Sequence, residues 1–284
     1  MGRFDIKTRS GLIYNIIQGI SLVSPILDLY PSANAAYSLR LLRSGYTGSL
    51  IRVRRSSDNT ELNIGFFAGE LDVTALLSFV GSGNGFVTTW YDQSGNGQNA
   101  TQTTAANQPS IITAGVLETQ LGKPSVKFLK VNGHGLTTTM VINNPFSIIS
   151  VLSQDLTTLS QTRVLNSSSV LSAPSILAIR RSDNISVYTG ATVLANFPSQ
   201  VSNAPYLISL LRQTSTTNIY QNNSTVANSS TISSGWGGFE MSTPTDGTAQ
   251  AFLGKISEVI IYPVNQNSVI SGIHSNINSY YSIY

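Results

Sequence analysis

The chain has no cysteine, and this absence excludes several kinds of site. Its 284 residues cannot form a disulfide, a thiol nucleophile or a cysteine-ligated zinc site. Charged residues are also scarce, at 10% of the chain against roughly 25% in an average soluble protein. Serine, threonine, asparagine and glutamine must therefore cover most of the surface, a composition that is common among extracellular and virion β-proteins.

Basic charge is low and scattered. The net charge is only +3, and the densest basic run is Arg52, Arg54 and Arg55. Nucleic-acid binding requires a larger and more concentrated basic field, so we expect no nucleic-acid partner. The three arginines are instead predicted to lie on an exposed strand face, or to pair with Asp58 and Glu61 in the turn that follows.

Histidines and candidate metal ligands are few. His134 and His274 are the only histidines, and neither has a nucleophile or an acid at an informative spacing in the sequence. A Ser-His-Asp arrangement therefore has no support, and both are predicted to be turn or surface residues. Asp92, with nearby amide and backbone oxygens, offers at most a weak calcium site. No other cofactor is expected.

The N-terminal segment is apolar at helical spacing. Leu12, Ile16 and Ile20 belong to this pattern, which Asn15 and Gln18 interrupt. The apolar run is too short and too polar to span a bilayer, and no membrane insertion is expected. We interpret residues 1–30 as an uncleaved arm. It either packs on its own domain or docks on a partner and drives self-association.

From residue 31 onward the pattern is dominated by short strands. Alternation over 50–54 and 61–66 predicts a hairpin, and Asp72 is expected to cap a helix over 72–80. Residues 34–43 predict a short helix or an irregular lead-in. Residues 268–284 predict a helix whose apolar stripe is formed by Val269, Ile273, Ile277 and Tyr280. Turn signals every 8–12 residues predict an all-β sandwich, with 31–284 as one domain.

Several stretches resemble known families. The segments GKPSVKF (122–128) and FLGKISEVIIY (252–262) resemble the concanavalin A-like, laminin-G-like jelly roll. AYSLRLLRSGYTG, RVRRSSDNTELNIGF and WYDQSGNGQNATQ resemble segments of bacteriophage and bacterial surface proteins with this fold. The resemblance implies a jelly-roll β-sandwich with a short N-terminal arm and a C-terminal helix.

The stretch WYDQSGNG also resembles the catalytic domain of fungal-type α-L-arabinofuranosidases. That resemblance implies a paired-cysteine substrate clamp and a nucleophilic glutamate inside an apolar strand. The chain has no cysteine, and no convincing match to the nucleophile strand was found. Glu70 and Asp72 match the first two acids of the strand motif of glucanases with this sandwich, but the third is missing. We therefore interpret the resemblance as one of fold, and predict that the chain is not an enzyme.

The resulting hypothesis is a non-enzymatic bacteriophage virion protein, such as a head fibre, decoration or tail component. Its arm would contact other virion proteins. The chain would form a homo-oligomer, and by analogy with fibres we expect a trimer. The expected location is the virion, or otherwise the extracellular space or cell surface. Two alternatives remain open: a stand-alone carbohydrate-binding module, which would bind cell-surface glycans, and a glycoside hydrolase of arabinofuranosidase-like fold.

Candidate ligand-binding residues lie in two stretches. Trp236, in a glycine-rich loop over 234–239, either contacts a sugar or packs over an edge of the core. In WYDQSGNG, Tyr91, Asp92 and Asn96 either line a ligand or form a structural turn. In the turn interpretation, Asp92 accepts backbone N–H groups, the two glycines take positive φ, and Trp90 and Tyr91 face opposite sides.

Overall fold

The structure is a computed structural model. It describes residues 23–129, 133–156, 162–166, 177–180, 184–189, 192–197, 201–229, 236–242 and 252–284. In residues 162–163, 166, 177–180, 184–189, 192–197, 229 and 236–237 it describes the backbone only. Most of the predicted arm therefore lies outside the described residues.

Strands dominate the described part of the chain. The helices there are α1 Ile26–Leu29, α2 Val73–Val80 and α3 Ile270–Tyr281, with a short 3-10 turn at Ala105–Asn107. The first strands are β1 Ala35–Ser38, β2 Ile51–Arg55, β3 Glu61–Ile64, β4 Phe66–Phe67, β5 Glu70–Leu71, β6 Gly85–Trp90, β7 Ala100–Thr101, β8 Ser110–Thr113, β9 Val116–Leu117, β10 Thr119–Gln120, β11 Lys123–Pro124 and β12 Val126–Phe128. The remaining strands are β13 Leu136–Ile142, β14 Phe146–Gln154, β15 Thr162–Asn166, β16 Leu177–Arg180, β17 Asn184–Thr189, β18 Thr192–Phe197, β19 Pro205–Arg212, β20 Thr217–Gln221, β21 Ser224–Ser229, β22 Trp236–Met241 and β23 Gly254–Tyr262.

Most strands belong to two antiparallel sheets that face each other. In the helix-covered sheet, β21, β20, β19, β14 and β23 lie side by side, and β1 and β12 share the far edge of β23. In the polar-faced sheet, the order is β3, β2, β6, β7, β13, β22, β15, β16, β17 and β18. Strand β8 pairs with both β6 and β12 and so links the two sheets. The all-β sandwich with a C-terminal helix is confirmed.

The helix-covered sheet is buried on both faces. All nine residues of β14 are buried. Ile148 and Leu152 pack into the core between the sheets. Ile149 and Val151 pack on the other side, against a second cluster that includes residues of α1 and α3. Two apolar faces explain why this strand is a continuous apolar run rather than an alternating one.

Strand β2 shows that the polar-faced sheet is apolar on the side of the core and polar on the other side. On β2, Ile51 and Val53 are fully buried in the core between the sheets, whereas Arg52 and Arg54 point away from it. Side chains of a strand point alternately to its two faces, so every second residue of this sheet lies on the face away from the core. That face carries the polar side chains from which the candidate site is built.

Local predictions had mixed outcomes. Asp72 caps α2 as expected, since its carboxylate accepts the Ala75 N–H at 2.9 Å. The sequence predicts a short helix or an irregular lead-in over 34–43, but Ala35–Ser38 forms strand β1 along β23. Residues 39–43 form neither a helix nor a regular strand. In α3, Ile270 is buried instead of Val269. Ile26 and Leu27 lie within the predicted arm but pack against α3 in the second cluster.

No helix in the described part of the chain has the length and hydropathy needed to cross a bilayer.

Candidate active site

The WYDQSGNG segment is a loop held by its own hydrogen bonds. The Asp92 carboxylate accepts four: from Ala36 N and Ser94 N at 2.8 Å, from Ser94 Oγ at 2.7 Å and from Gln98 N at 3.1 Å. Asp92 is buried. Its oxygens are thus engaged by protein donors, and the geometry fits a structural turn better than a calcium ligand or a catalytic acid.

The rest of the loop holds the segments on either side of strand β1. Gln93 accepts the Leu42 N–H at 2.8 Å and donates to the Arg40 carbonyl at 2.9 Å. Asn96 donates to the Ala33 carbonyl at 3.0 Å. Gly95 has φ of +98°, a left-handed conformation that favours glycine over any residue with a Cβ. Asn96, a predicted ligand-lining residue, therefore has a structural role.

Trp90 and Tyr91 face opposite sides, as expected. Trp90 is fully buried, and its indole N–H donates to the Ser38 carbonyl at 3.2 Å. Tyr91 is half-buried on the outer side, where its hydroxyl donates to Asn63 Oδ1 at 2.9 Å. Tyr91 is thus the predicted ligand-lining residue that lies on the surface of the polar-faced sheet.

The prediction of a loop over 234–239 is wrong from Trp236 onward. Trp236 begins strand β22 and pairs with Ile142 of β13. The side chain of Trp236 lies outside the described residues.

The histidines are predicted to be turn or surface residues, but both are buried. His134 directly follows the turn residue Gly133, whereas His274 lies within α3. His274 Nε2 lies 2.7 Å from Ser209 Oγ, and its Nδ1 lies 3.0 Å from Asn223 Oδ1. This resembles a catalytic chain, but Ser209 is fully buried in the middle of β19. Burial lowers the pKa of both His134 and His274 to about 4, so both are neutral near pH 7. We assign the Ser209–His274 pair to packing of α3 on its sheet.

A cavity of about 130 Å³ lies on the helix-covered side, between Pro25, Arg40, Glu70 and Tyr280. The Tyr280 hydroxyl donates to Glu70. Ligand pockets are usually about 300–1,000 Å³, so this cavity is too small to hold an oligosaccharide. Among the described residues, no group of three or more histidine, aspartate and glutamate side chains could hold a metal ion.

Two glutamates lie inside apolar strands, and Glu258 is the first. On β23 it faces the helices, where Arg40 Nε and Nη2 donate to its two oxygens at 2.8 and 2.9 Å. Ser38 Oγ donates to it at 2.9 Å. Burial alone would lower the pKa of Arg40, but the Glu258 carboxylate beside it raises that pKa above its ordinary value. Both charges are thus satisfied within the fold, which fits a structural ion pair.

Glu240 is the second, and it lies on the other sheet. Its neighbours on β22, Phe239 and Met241, both pack in the core between the sheets. Alternation therefore places the Glu240 side chain on the face away from that core. The residues paired with it across the sheet are Thr137 of β13 and Asn166 of β15. Glu240 is fully buried, while Thr137 is half-buried, so the carboxylate is shielded from water beside a polar surface.

The proteins to which this chain is similar include glycosidases. The sequence profile of the family described as "Alpha-L-arabinofuranosidase B, catalytic" matches residues 28–146. A GH54 α-L-arabinofuranosidase soaked with a cyclic sulfate inhibitor aligns with a TM-score of 0.67 and 16% identity, over 89% of this chain and 64% of that one. No curated protein matches the chain in sequence.

Two further solved structures show the same sandwich. An arabinofuranosidase complexed with arabinofuranosyl-α-1,2-xylobiose aligns with a TM-score of 0.65 and 17% identity, again over 89% of this chain and 64% of that one. A Trypanosoma rangeli sialidase in complex with the inhibitor DANA aligns with a TM-score of 0.53 and 12% identity, over 96% of this chain and 37% of that one. The chain thus spans less than two thirds of the arabinofuranosidase chains, and at these identities the likeness is one of fold.

These findings correct the functional interpretation of the sequence. The hypothesis of a non-enzymatic bacteriophage virion protein is wrong, because the profile that matches is that of an enzyme's catalytic domain. The missing cysteine clamp was given too much weight: a disulfide can position a substrate, but carboxylates perform glycoside hydrolysis. The predicted virion partners and virion location depended on that hypothesis, and no observation tests them.

Sequence reasoning also missed Glu240. The two glycines before Phe239 favoured a loop, and no strand was predicted there. The available signal was the alternation of Phe239, Glu240 and Met241, which places a carboxylate between two core residues.

Proposed function

We propose that this chain is a glycoside hydrolase of arabinofuranosidase-like fold and that Glu240 is one of its catalytic carboxylates. The match of the catalytic-domain profile to residues 28–146 is the observation that carries this proposal. The matched segment includes the WYDQSGNG loop but ends before β22, so the assignment of Glu240 is supported by its position alone.

The position of Glu240 suits this chemistry. Most glycosidases use two carboxyl groups flanking the scissile bond, one of which protonates the leaving oxygen or attacks the sugar. A carboxylate fixed in a strand is held more precisely than one on a loop. The residues directly opposite Glu240 are not acids, so the second carboxyl group must come from another part of the chain. Among the acids elsewhere in the chain, Asp183 and Asp246 lie outside the described residues.

The first test is hydrolysis of phenyl α-L-arabinofuranoside, whose leaving group is a weakly acidic phenol, by the purified chain. We expect turnover by the wild type and a loss of at least about a thousandfold in kcat for Glu240→Gln, because the amide can neither attack nor donate its proton. Glu61→Gln is the matched control, since Glu61 lies on the polar-faced sheet but away from Glu240. An inactive wild type, or equal activity in the two variants, would overturn the proposal.

A second measurement assigns the role of Glu240. A general acid protonates the leaving oxygen, so its loss matters little when the leaving group is an acidic phenol. A nucleophile is required whatever the leaving group. If Glu240 is the acid, Glu240→Gln will regain activity as the pKa of the leaving phenol falls. If it is the nucleophile, the loss will be uniform across the series.

The remaining expectations follow from this function. Hydrolysis by two carboxyl groups requires no cofactor, and we propose none. Polysaccharides are found outside cells, so an extracellular or cell-surface location, with glycans as partners, is proposed. The homo-oligomer stays a prediction, to be tested by light scattering.

A further inference from the structure

A row of polar residues crosses the polar-faced sheet and leads to Glu240. The pairings are continuous from strand to strand: Glu240–Thr137, Thr137–Thr101, Thr101–Thr89, Thr89–Arg52 and Arg52–Asn63. Side chains of directly opposed residues lie on the same face of a sheet. Five strand spacings of about 4.8 Å make the row about 24 Å long. We call Thr137, Thr101, Thr89, Arg52 and Asn63 the threonine lane.

The neighbouring row confirms which way the lane faces. The residues one step along each strand are Ile51, Trp90, Ala100, Leu136 and Met241. All five are fully buried in the core between the sheets. Because adjacent residues of a strand point to opposite faces, the lane lies on the face away from the core.

Most of the lane is more exposed than Glu240. Glu240 is fully buried, and Thr137 and Thr89 are half-buried. Thr101, Arg52 and Asn63 are exposed. The lane is therefore a continuous surface track from solvent to a shielded carboxylate.

The chemistry of the lane suits a neutral ligand rich in hydroxyl groups. Its only charge is on Arg52, which pairs with Glu61. Three threonine hydroxyls and one amide supply hydrogen-bond donors and acceptors from positions fixed by the sheet. At the outer end, the Tyr91 hydroxyl is held by Asn63, which places an aromatic ring beside the lane. A sugar combines hydroxyl edges with an apolar face, and such a surface offers partners for both.

We propose that the threonine lane binds a neutral polysaccharide chain and guides one of its linkages to Glu240. Binding by the lane is independent of catalysis, whereas the role of guiding a linkage rests on the proposed function. The occupant is inferred from the absence of net charge and from the continuity of the lane with Glu240.

Affinity electrophoresis in gels containing soluble arabinoxylan tests the binding step. Thr101→Trp places a bulky side chain in the middle of the lane, and Tyr91→Ala removes the ring at its end. Thr225→Trp is the matched control, because Thr225 is an exposed strand residue on β21 of the other sheet. We expect arabinoxylan to retard the wild type and Thr225→Trp equally, with affinity at least tenfold weaker for Thr101→Trp and Tyr91→Ala. Polygalacturonate, which is charged, should retard none of them.

Activity gives a second readout. For Thr101→Trp, the ratio of kcat/KM on arabinoxylan to kcat/KM on the aryl arabinoside should fall at least tenfold, because the small substrate does not occupy the lane. Two outcomes would overturn the proposal that the lane binds polysaccharide. One is equal retardation of Thr101→Trp and Thr225→Trp by arabinoxylan. The other is retardation of the wild type by polygalacturonate that is as strong as by arabinoxylan.

The two proposals can fail separately. Retardation that depends on the lane, without any hydrolysis, would overturn the proposed function but not the proposed binding by the lane. Hydrolysis by the wild type, with equal retardation of the two tryptophan variants, would overturn the binding by the lane but not the proposed function.

Discussion

The two sheets place a glutamate in the same kind of strand but in opposite surroundings. Glu258 lies on the face covered by α1 and α3, where an arginine and a serine donate to it. Glu240 lies on the face away from the core, beside threonine and asparagine positions of neighbouring strands. An acidic residue within an apolar strand can therefore be assigned a function only when the side of the sheet to which it points is known. The acid on the covered face forms an ion pair within the fold, whereas we propose that the acid on the polar face takes part in catalysis.

The largest effect on stability is expected at the covered face. Glu258→Gln removes the partner of a buried guanidinium, which should lower the free energy of unfolding by about 3–5 kcal/mol. Urea denaturation measures this change. The same substitution at Glu61, whose arginine partner is exposed, should leave the urea midpoint close to that of the wild type. Similar midpoints for the two variants would remove the contrast between the faces.

The two buried histidines should also make the stability of the chain depend on pH. The pKa of His274 is about 4 in the folded chain and near 6.5 when unfolded. The unfolded state therefore binds more protons between these values, and the free energy of unfolding falls as pH falls from about 6.5 to about 4. The loss approaches about 3 kcal/mol for this histidine. His134 has the same shift and adds to it. Urea titrations across this range should show a shallower slope for His274→Gln, and an unchanged slope would contradict the assignment.

At the WYDQSGNG loop, a smaller effect is expected. Asp92→Asn replaces an acceptor of four hydrogen bonds by a group that itself donates on one side, and should cost about 2 kcal/mol. Thermal unfolding gives the value, with the exposed Asp28→Asn as control. Activity and glycan binding should persist in folded Asp92→Asn. Their loss at unchanged stability would identify Asp92 as a ligand-binding residue.

The smallest effect on stability belongs to the polar face. Tyr91→Phe loses one half-exposed hydrogen bond, to Asn63, and should cost at most about 1 kcal/mol. A thermal shift larger than that of Asp92→Asn would show that Tyr91 supports the fold rather than a surface track.

Much of the fold could be predicted from sequence because local patterns and tertiary packing agree there. The alternation around Arg52, the Asp72 cap and the stripe of Ile273 and Ile277 all depend on residues close in the chain. Strand β1 could not be predicted, because its extended form is imposed by pairing with β23, more than 200 residues away. The contact of His274 with Ser209 was missed for the same reason.

By itself, the sequence determined the all-β class, the positions of many strands, and the structural nature of the WYDQSGNG turn. Each follows from spacing and side-chain chemistry within about a dozen residues. Only the tertiary structure decided which glutamate faces helices and which faces the polar surface, and only it aligned Thr137, Thr101 and Thr89 into one row. Strand register sets both results, and register is fixed by which apolar faces are buried together across distant parts of the chain.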